Sequence, residues 1–191
     1  MSDLLASDVI TPDAGETPLL SLPDVSILKA APMTRLSLRL REAAIPAAGE
    51  AFGAKLPVTP LGAETSAKRA ALWMGPDEWT LLAPEDELQA VFDGIESKLD
   101  GQPHSLTDIS HRSEALIVSG PKASWLLNTG IFIDFSLEKF PVGTVTRTIF
   151  HKSPVMIWRT GEDTFVVEAW VSFMDYVAGI LVESAQELAA A

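Results

Sequence analysis

The fold is decided by the stretch Ala70-Ala-Leu-Trp-Met-Gly-Pro-Asp-Glu-Trp-Thr-Leu-Leu-Ala83, in which two apolar runs flank a short polar segment. Apolar runs of about four to eight residues that are bounded by turn residues are typical of strands. The intervening Gly75-Pro-Asp-Glu78 is a turn signal, because glycine and proline interrupt regular structure. This stretch therefore predicts a β-hairpin.

An amphipathic helix is predicted directly after the hairpin. Pro84 starts it, and the acidic residues 85–87 lie in its first turn, where the positive end of the helix dipole favours them. Its apolar residues recur at the spacing of one helical face, and they are Leu88, Val91, Phe92, Ile95 and Leu99. We expect this face to be buried.

The hairpin and the helix have counterparts in the second half of the chain. Trp73-x-Gly-x-Asp-x-Trp79 recurs as Trp158-x-x-Gly-x-Asp-x-Phe165, and an amphipathic helix follows each. The expected inner face of the second helix comprises Phe173, Tyr176, Val177, Ile180, Leu181 and Leu188, with Ser172 and Asp175 as a capping box. Chance recurrence of this spacing in two hairpins is the alternative interpretation.

Further elements complete each half. Residues 34–41 alternate between leucine and polar residues, which predicts a strand with one wet face. A short helix containing Pro46 and ending at Gly53 follows it, and the second half has a helix over residues 122–128. Strands are expected at residues 115–118, 145–150, 155–159 and 164–168. Both halves thus share the order strand, helix, strand, strand, helix, and the second half has one further strand after its first helix.

This order predicts an α+β fold of two similar split-βαβ, ferredoxin-like lobes, because helices on one face of a short sheet leave the other face to be covered. We place the first lobe at residues 25–105 and the second at residues 106–191. Residues 1–24 contain five acidic residues, three prolines and no basic residue. We expect them to form a flexible acidic arm.

Composition excludes several classes of function. The chain has 14 Lys and Arg against 26 Asp and Glu, for a formal net charge of −12. Nucleic acids and anionic membranes would repel it, so we expect neither as a partner. Without cysteine, disulfides and thiolate metal sites are excluded. No secretory leader or membrane-spanning run is evident, which predicts a cytoplasmic protein.

One cluster combines an acid, a hydroxyl and an imidazole, as a nucleophilic triad would: Asp108, Ser110 and His111. In an extended chain His111 points away from the other two, which favours a role for Asp108 and Ser110 in ending a strand. The three histidines lack metal-ligand spacing, and no glycine-rich phosphate loop occurs. We therefore predict neither a catalytic residue nor a metal ligand in this chain.

Charge is segregated along the chain. Residues 77–100 hold eight acidic residues and one lysine, whereas residues 139–159 hold four cations and no acid. Two ordinary solvated faces would explain this, and so would surfaces that dock onto complementary partners. The candidate subunit-interface residues are Arg112, Lys139, Arg147, Lys152 and Arg159.

Three segments together resemble the folate-binding aminomethyltransferase superfamily, to which the T-protein of glycine cleavage belongs. They are Leu106-Thr-Asp-Ile-Ser-His-Arg112, Ser119-Gly-Pro-Lys-Ala123 and Phe140-Pro-Val-Gly143. Within that superfamily, the order of Leu72-Trp-Met-Gly-Pro-Asp-Glu-Trp79 and Asp108-Ile-Ser-His-Arg112 is similar to the gamma subunits of heterotetrameric sarcosine oxidases. The resemblance covers residues 25–185.

The resemblance implies a two-lobed folate-binding-like fold that assembles with alpha, beta and delta subunits. Those subunits would carry FAD, FMN, NAD and tetrahydrofolate, with no cofactor bound by this chain. The complex would oxidise sarcosine to glycine and pass the methyl carbon to tetrahydrofolate.

The chain departs from the superfamily at one hairpin. Where aminomethyltransferases carry a catalytic aspartate, it reads His151-Lys-Ser-Pro-Val-Met-Ile-Trp158, without a carboxylate. The resemblance therefore implies a noncatalytic subunit. The alternatives are a stand-alone folate-dependent one-carbon transferase, or a folate-binding module in which Arg112, Arg147, Lys152 or Arg159 pairs with ligand carboxylates.

Overall fold

The computed structural model describes residues 14–190, and the side chains of residues 18–189. Within this range the chain forms eleven strands and four α-helices, and short 3₁₀-helices at Glu42–Ala44 and Glu85–Glu87 precede α1 and α2. In chain order they are β1 (Ala14–Ser21), β2 (Ser26–Ala30), β3 (Met33–Leu40), α1 (Ile45–Phe52), β4 (Ala63–Ser66), β5 (Arg69–Gly75), β6 (Glu78–Pro84), α2 (Leu88–Lys98), β7 (His104–Asp108), β8 (Ser113–Ser119), α3 (Ala123–Asn128), β9 (Val145–Phe150), β10 (Ser153–Gly161), β11 (Thr164–Trp170) and α4 (Val171–Ala190).

These elements form two compact α+β units, each with one sheet whose assigned strand pairs are antiparallel. The first unit is Pro32–Ser110, and its sheet has the order β4-β5-β6-β3-β7. The second combines residues 14–31 with residues 111–190, and its sheet has the order β1-β2-β8-β11-β10-β9. The predicted α+β fold with two similar lobes is confirmed.

The two units repeat one topology. Along the chain, each repeat consists of a strand, a helix, three strands and a second helix. Within the sheets, the four strands of each repeat have equivalent positions, in the orders β4-β5-β6-β3 and β9-β10-β11-β8. The equivalent hairpins share a register shift, which falls between Trp73 and Gly75 in one and between Arg159 and Gly161 in the other. The recurrence is therefore structural, but the register makes Trp73 equivalent to Arg159 and not to Trp158.

The boundary between the units differs from the one expected at residues 105 and 106. β7 is hydrogen-bonded to β3, so the first unit extends to Ser110, and β2 pairs with β8 in the sheet of the second unit. Residues 26–30 thus belong to the second sheet and not to the first lobe. The strand that precedes each repeat joins the sheet of the other unit.

Part of the expected N-terminal arm is a strand. Residues 1–13 lie outside the described part of the chain, so the prediction of a flexible arm remains open for them. Residues 14–21 form β1, which pairs with β2 through a register interrupted by two shifts. That pairing gives this segment backbone hydrogen-bond partners, which an arm would lack.

The core of the first unit lies between its sheet and the helices α1 and α2. Leu36 and Leu38 of β3 face the predicted stripe of α2, in which Ile95 is fully buried and Leu88 and Phe92 are partly buried. The short helix also forms as expected. Pro46 lies in the first turn of α1, and Gly53 ends that helix with a left-handed φ of 81°.

The core of the second unit is covered by α3 and α4. The stripe of α4 buries Met174, Val177, Leu181 and Ala185. Val177 and Leu181 were expected on this buried face. Tyr176 was expected there too, but its side chain is 41% exposed, so that prediction is wrong. β11 runs directly into α4, so the helix starts at Val171 and Ser172 lies inside its first turn, not at the capping position. Across residues 14–190 no helix combines the length and apolarity needed to cross a membrane.

Candidate docking surface

The acid and hydroxyl of the possible triad stabilise a turn. The Ser110 hydroxyl donates to Asp108 Oδ1 at 2.6 Å, and the Ser110 backbone N–H donates to the same oxygen at 2.9 Å. Ser110 Oγ also accepts the Arg35 N–H at 3.0 Å, which joins the end of β7 to β3. The predicted structural role of Asp108 and Ser110 is thereby confirmed. His111 is exposed and begins the second unit.

Arg159 is a buried structural residue, although it was expected on a docking surface. Its side chain is 3% exposed, and Nη1 donates to the carbonyls of Phe135 at 2.8 Å and Phe140 at 2.7 Å. Its Nε donates to the Glu162 carbonyl at 3.1 Å, and its guanidinium lies 4.8 Å from the centre of the Phe165 ring. Arg159 thus joins the loop of residues 129–144 to β10 and is removed from the interface candidates.

Burial also acts on the charge of Arg159. Desolvation lowers the pKa of its guanidinium, and the nearby carboxylates of Asp163 and Glu162 act in the opposite direction. A guanidinium stays protonated in proteins, so Arg159 remains a cation at neutral pH. The carbonyl oxygens around it replace the water that burial removes.

The 129–144 loop is held at its start by side-chain and backbone contacts. The Asn128 amide donates to the carbonyls of Ile131 at 3.0 Å and Ile133 at 2.7 Å, the residues on either side of Phe132. The His151 N–H donates to the Gly130 carbonyl at 2.9 Å. A Cβ at Gly130 would lie 2.5 Å from the Phe150 ring, so this approach of the loop to β9 requires glycine.

These contacts leave one aromatic ring fully in solvent. Ile131 is buried in the core, whereas Phe132 is 101% exposed. Further along the loop, the Asp134 carboxylate accepts the Ser136 N–H at 2.9 Å, and this hydrogen bond is the main cause of a lowered Asp134 pKa. The Phe132 side chain is therefore exposed, while the backbone on both sides of it accepts hydrogen bonds from Asn128.

The loop of residues 129–144 exposes the acids Asp134 and Glu138. We define the loop surface by the exposed large apolar and basic residues of this loop and of the hairpin beside it. They are Phe132, Leu137, Lys139, Val142, Arg147, Ile149 and Lys152. β9 is an outer strand of the described sheet, which makes its exposed side chains accessible from the edge. Lys139 forms an ion pair with Glu138 at 2.6 Å.

Arg112 lies elsewhere, at the start of α4. Its carbonyl accepts the Val171 N–H at 3.0 Å, next to the half-exposed Trp170. β8 and β9 are separated by two strands, which places the backbone beside Arg112 roughly 14 Å from that of β9. Lys139, Arg147 and Lys152 therefore lie on the loop and hairpin that define the loop surface, whereas Arg112 directly precedes β8.

Sequence reasoning missed Phe132. It lies between two isoleucines in a run that looks uniformly apolar, and no periodicity separates the exposed ring from its buried neighbours. The available signal was Asn128 at the helix end, because a side-chain amide in that position commonly bonds to the following backbone.

The hairpin from His151 to Trp158 contains no carboxylate, and its titratable side chains are those of His151 and Lys152. Ser153 and the apolar side chains of β10 from Val155 to Trp158 are buried, and His151 forms the turn with a φ of 51°. Among residues 14–190, no group of three His, Asp or Glu side chains is arranged to hold a metal ion.

The fold places the protein in a structural class. It matches the glycine cleavage system aminomethyltransferase T from Bartonella henselae with a TM-score of 0.62 and 13% identity, covering 83% of this chain and 45% of that chain. At this identity the match shows the fold alone. The protein thus shares its fold with part of an aminomethyltransferase, as the sequence segments indicated.

The family model of the sarcosine oxidase gamma subunit matches residues 41–187, and the chain belongs to this family. The gamma subunit of Corynebacterium sp. (strain U-96) is 31% identical over 122 residues, or 64% of this chain and 58% of that relative. The gamma subunit from Arthrobacter sp. is 32% identical over 120 residues, or 63% and 58%. The matched region thus spans less than two thirds of these relatives.

A solved structure extends the match over most of the chain. A chain of the heterotetrameric sarcosine oxidase from Corynebacterium sp. U-96, in complex with pyrrole 2-carboxylate, superposes with a TM-score of 0.82 and 29% identity. The match covers 87% of this chain and 86% of that chain. The resemblance to sarcosine oxidase gamma subunits that the sequence segments indicated is confirmed.

Proposed function

We propose that this chain is the gamma subunit of a heterotetrameric sarcosine oxidase and that it contributes binding surfaces to the complex. The observation that carries the proposal is the superposition on a chain of such an enzyme at a TM-score of 0.82 over 87% of this chain. The proposed partners are the alpha, beta and delta subunits, which would carry FAD, FMN, NAD and tetrahydrofolate. We place the complex in the cytoplasm.

The complex would demethylate sarcosine oxidatively to glycine and pass the methyl carbon to tetrahydrofolate. Our proposal assigns no catalytic step to this chain, and two observations support that assignment. The hairpin at residues 151–158 lacks the carboxylate that the aminomethyltransferase resemblance would require. Asp108 and Ser110 are engaged in a turn, where their hydrogen bonds hold β7 to β3.

The proposal is tested by reconstitution. The chain is expressed alone and together with the alpha, beta and delta subunits, and hydrogen peroxide and methylene-tetrahydrofolate are measured with sarcosine and tetrahydrofolate present. We expect a stable complex with turnover, and no turnover by the isolated chain. Turnover by this chain alone would exclude the noncatalytic assignment, and failure to copurify would exclude the subunit assignment.

Calorimetric titration of the isolated chain with tetrahydrofolate tests the alternative that the chain is a folate-binding module. We expect no saturable heat, because our proposal places the folate site on another subunit. Stoichiometric binding would favour the folate-binding module. Arg159 would not explain such binding, since its guanidinium already bonds to backbone carbonyls.

A further inference from the structure

We draw no further inference here: the strongest candidate, the groove between α1 and β4 at the outer edge of the described sheet of the first unit, has the form of a site for an extended peptide, but nothing in residues 14–190 shows what covers it.

Discussion

At the scale of single residues, similar side chains take different roles according to backbone groups that sequence patterns do not reveal. Arg147, Lys152 and Arg159 look equivalent in a run without acids, yet only Arg159 is buried. Its partners include the carbonyls of Phe135 and Phe140, which are 24 and 19 residues away in sequence. Every residue carries such a carbonyl, so the pairing leaves no trace in residue type.

We expect Arg159→Met to lower the free energy of unfolding by about 2–4 kcal/mol, because buried carbonyls then lose charged donors. Lys152→Met is the matched control, since it removes an exposed cation from the same hairpin and should change stability by about 0.5 kcal/mol or less. Urea unfolding followed by tryptophan fluorescence measures both. Equal transition midpoints for the two variants would contradict the structural role of Arg159.

At the scale of elements, the sequence predicts those with a clear period or clear end signals. The helix stripes, the hairpin around Gly75-Pro76 and the short helix between Pro46 and Gly53 follow from local residue patterns. β4 was missed because Ala63–Ser66 is short and mostly polar. The exchange of β2 and β7 between sheets depends on pairing of distant strands, which no local pattern specifies.

Two neighbouring residues of α4 test how far burial controls the stability of the second unit. Leu181 is fully buried, whereas Ile180 is partly buried at the side of the same stripe. We expect Leu181→Ala to cost about 2–5 kcal/mol through lost transfer energy and a cavity, and Ile180→Ala to cost clearly less. Thermal and urea unfolding provide the comparison. A larger loss at Ile180 than at Leu181 would show that the assigned face of α4 is rotated.

At the scale of the whole molecule, one topology occurs twice, and the chain covers 45% of an aminomethyltransferase with the same fold. A fold does not specify a function, because function depends on the groups placed upon it. Here the hairpin at residues 151–158 lacks a carboxylate, and the nearby loop surface carries exposed apolar and basic residues. The cations of the loop surface were predictable from charge segregation, whereas the exposed ring required the structure.

The loop surface leads to a prediction about assembly kinetics. Reversing Arg147 and Lys152 to Glu should slow association with the larger subunits at low salt, because rim charges act mainly on encounter with an oppositely charged partner. The melting point should stay nearly unchanged, since exposed charges seldom contribute more than about 1 kcal/mol to folding.

The matched control reverses Lys55 and Lys68, two exposed lysines of the first unit, and changes the net charge equally. Stopped-flow or interferometric association rates are compared over a salt series, and the difference between the two double variants should disappear near 1 M salt, where the Debye length falls to about 3 Å. Equal association rates for both double variants at low salt would mean that only total charge matters and that the loop surface is an ordinary solvated face.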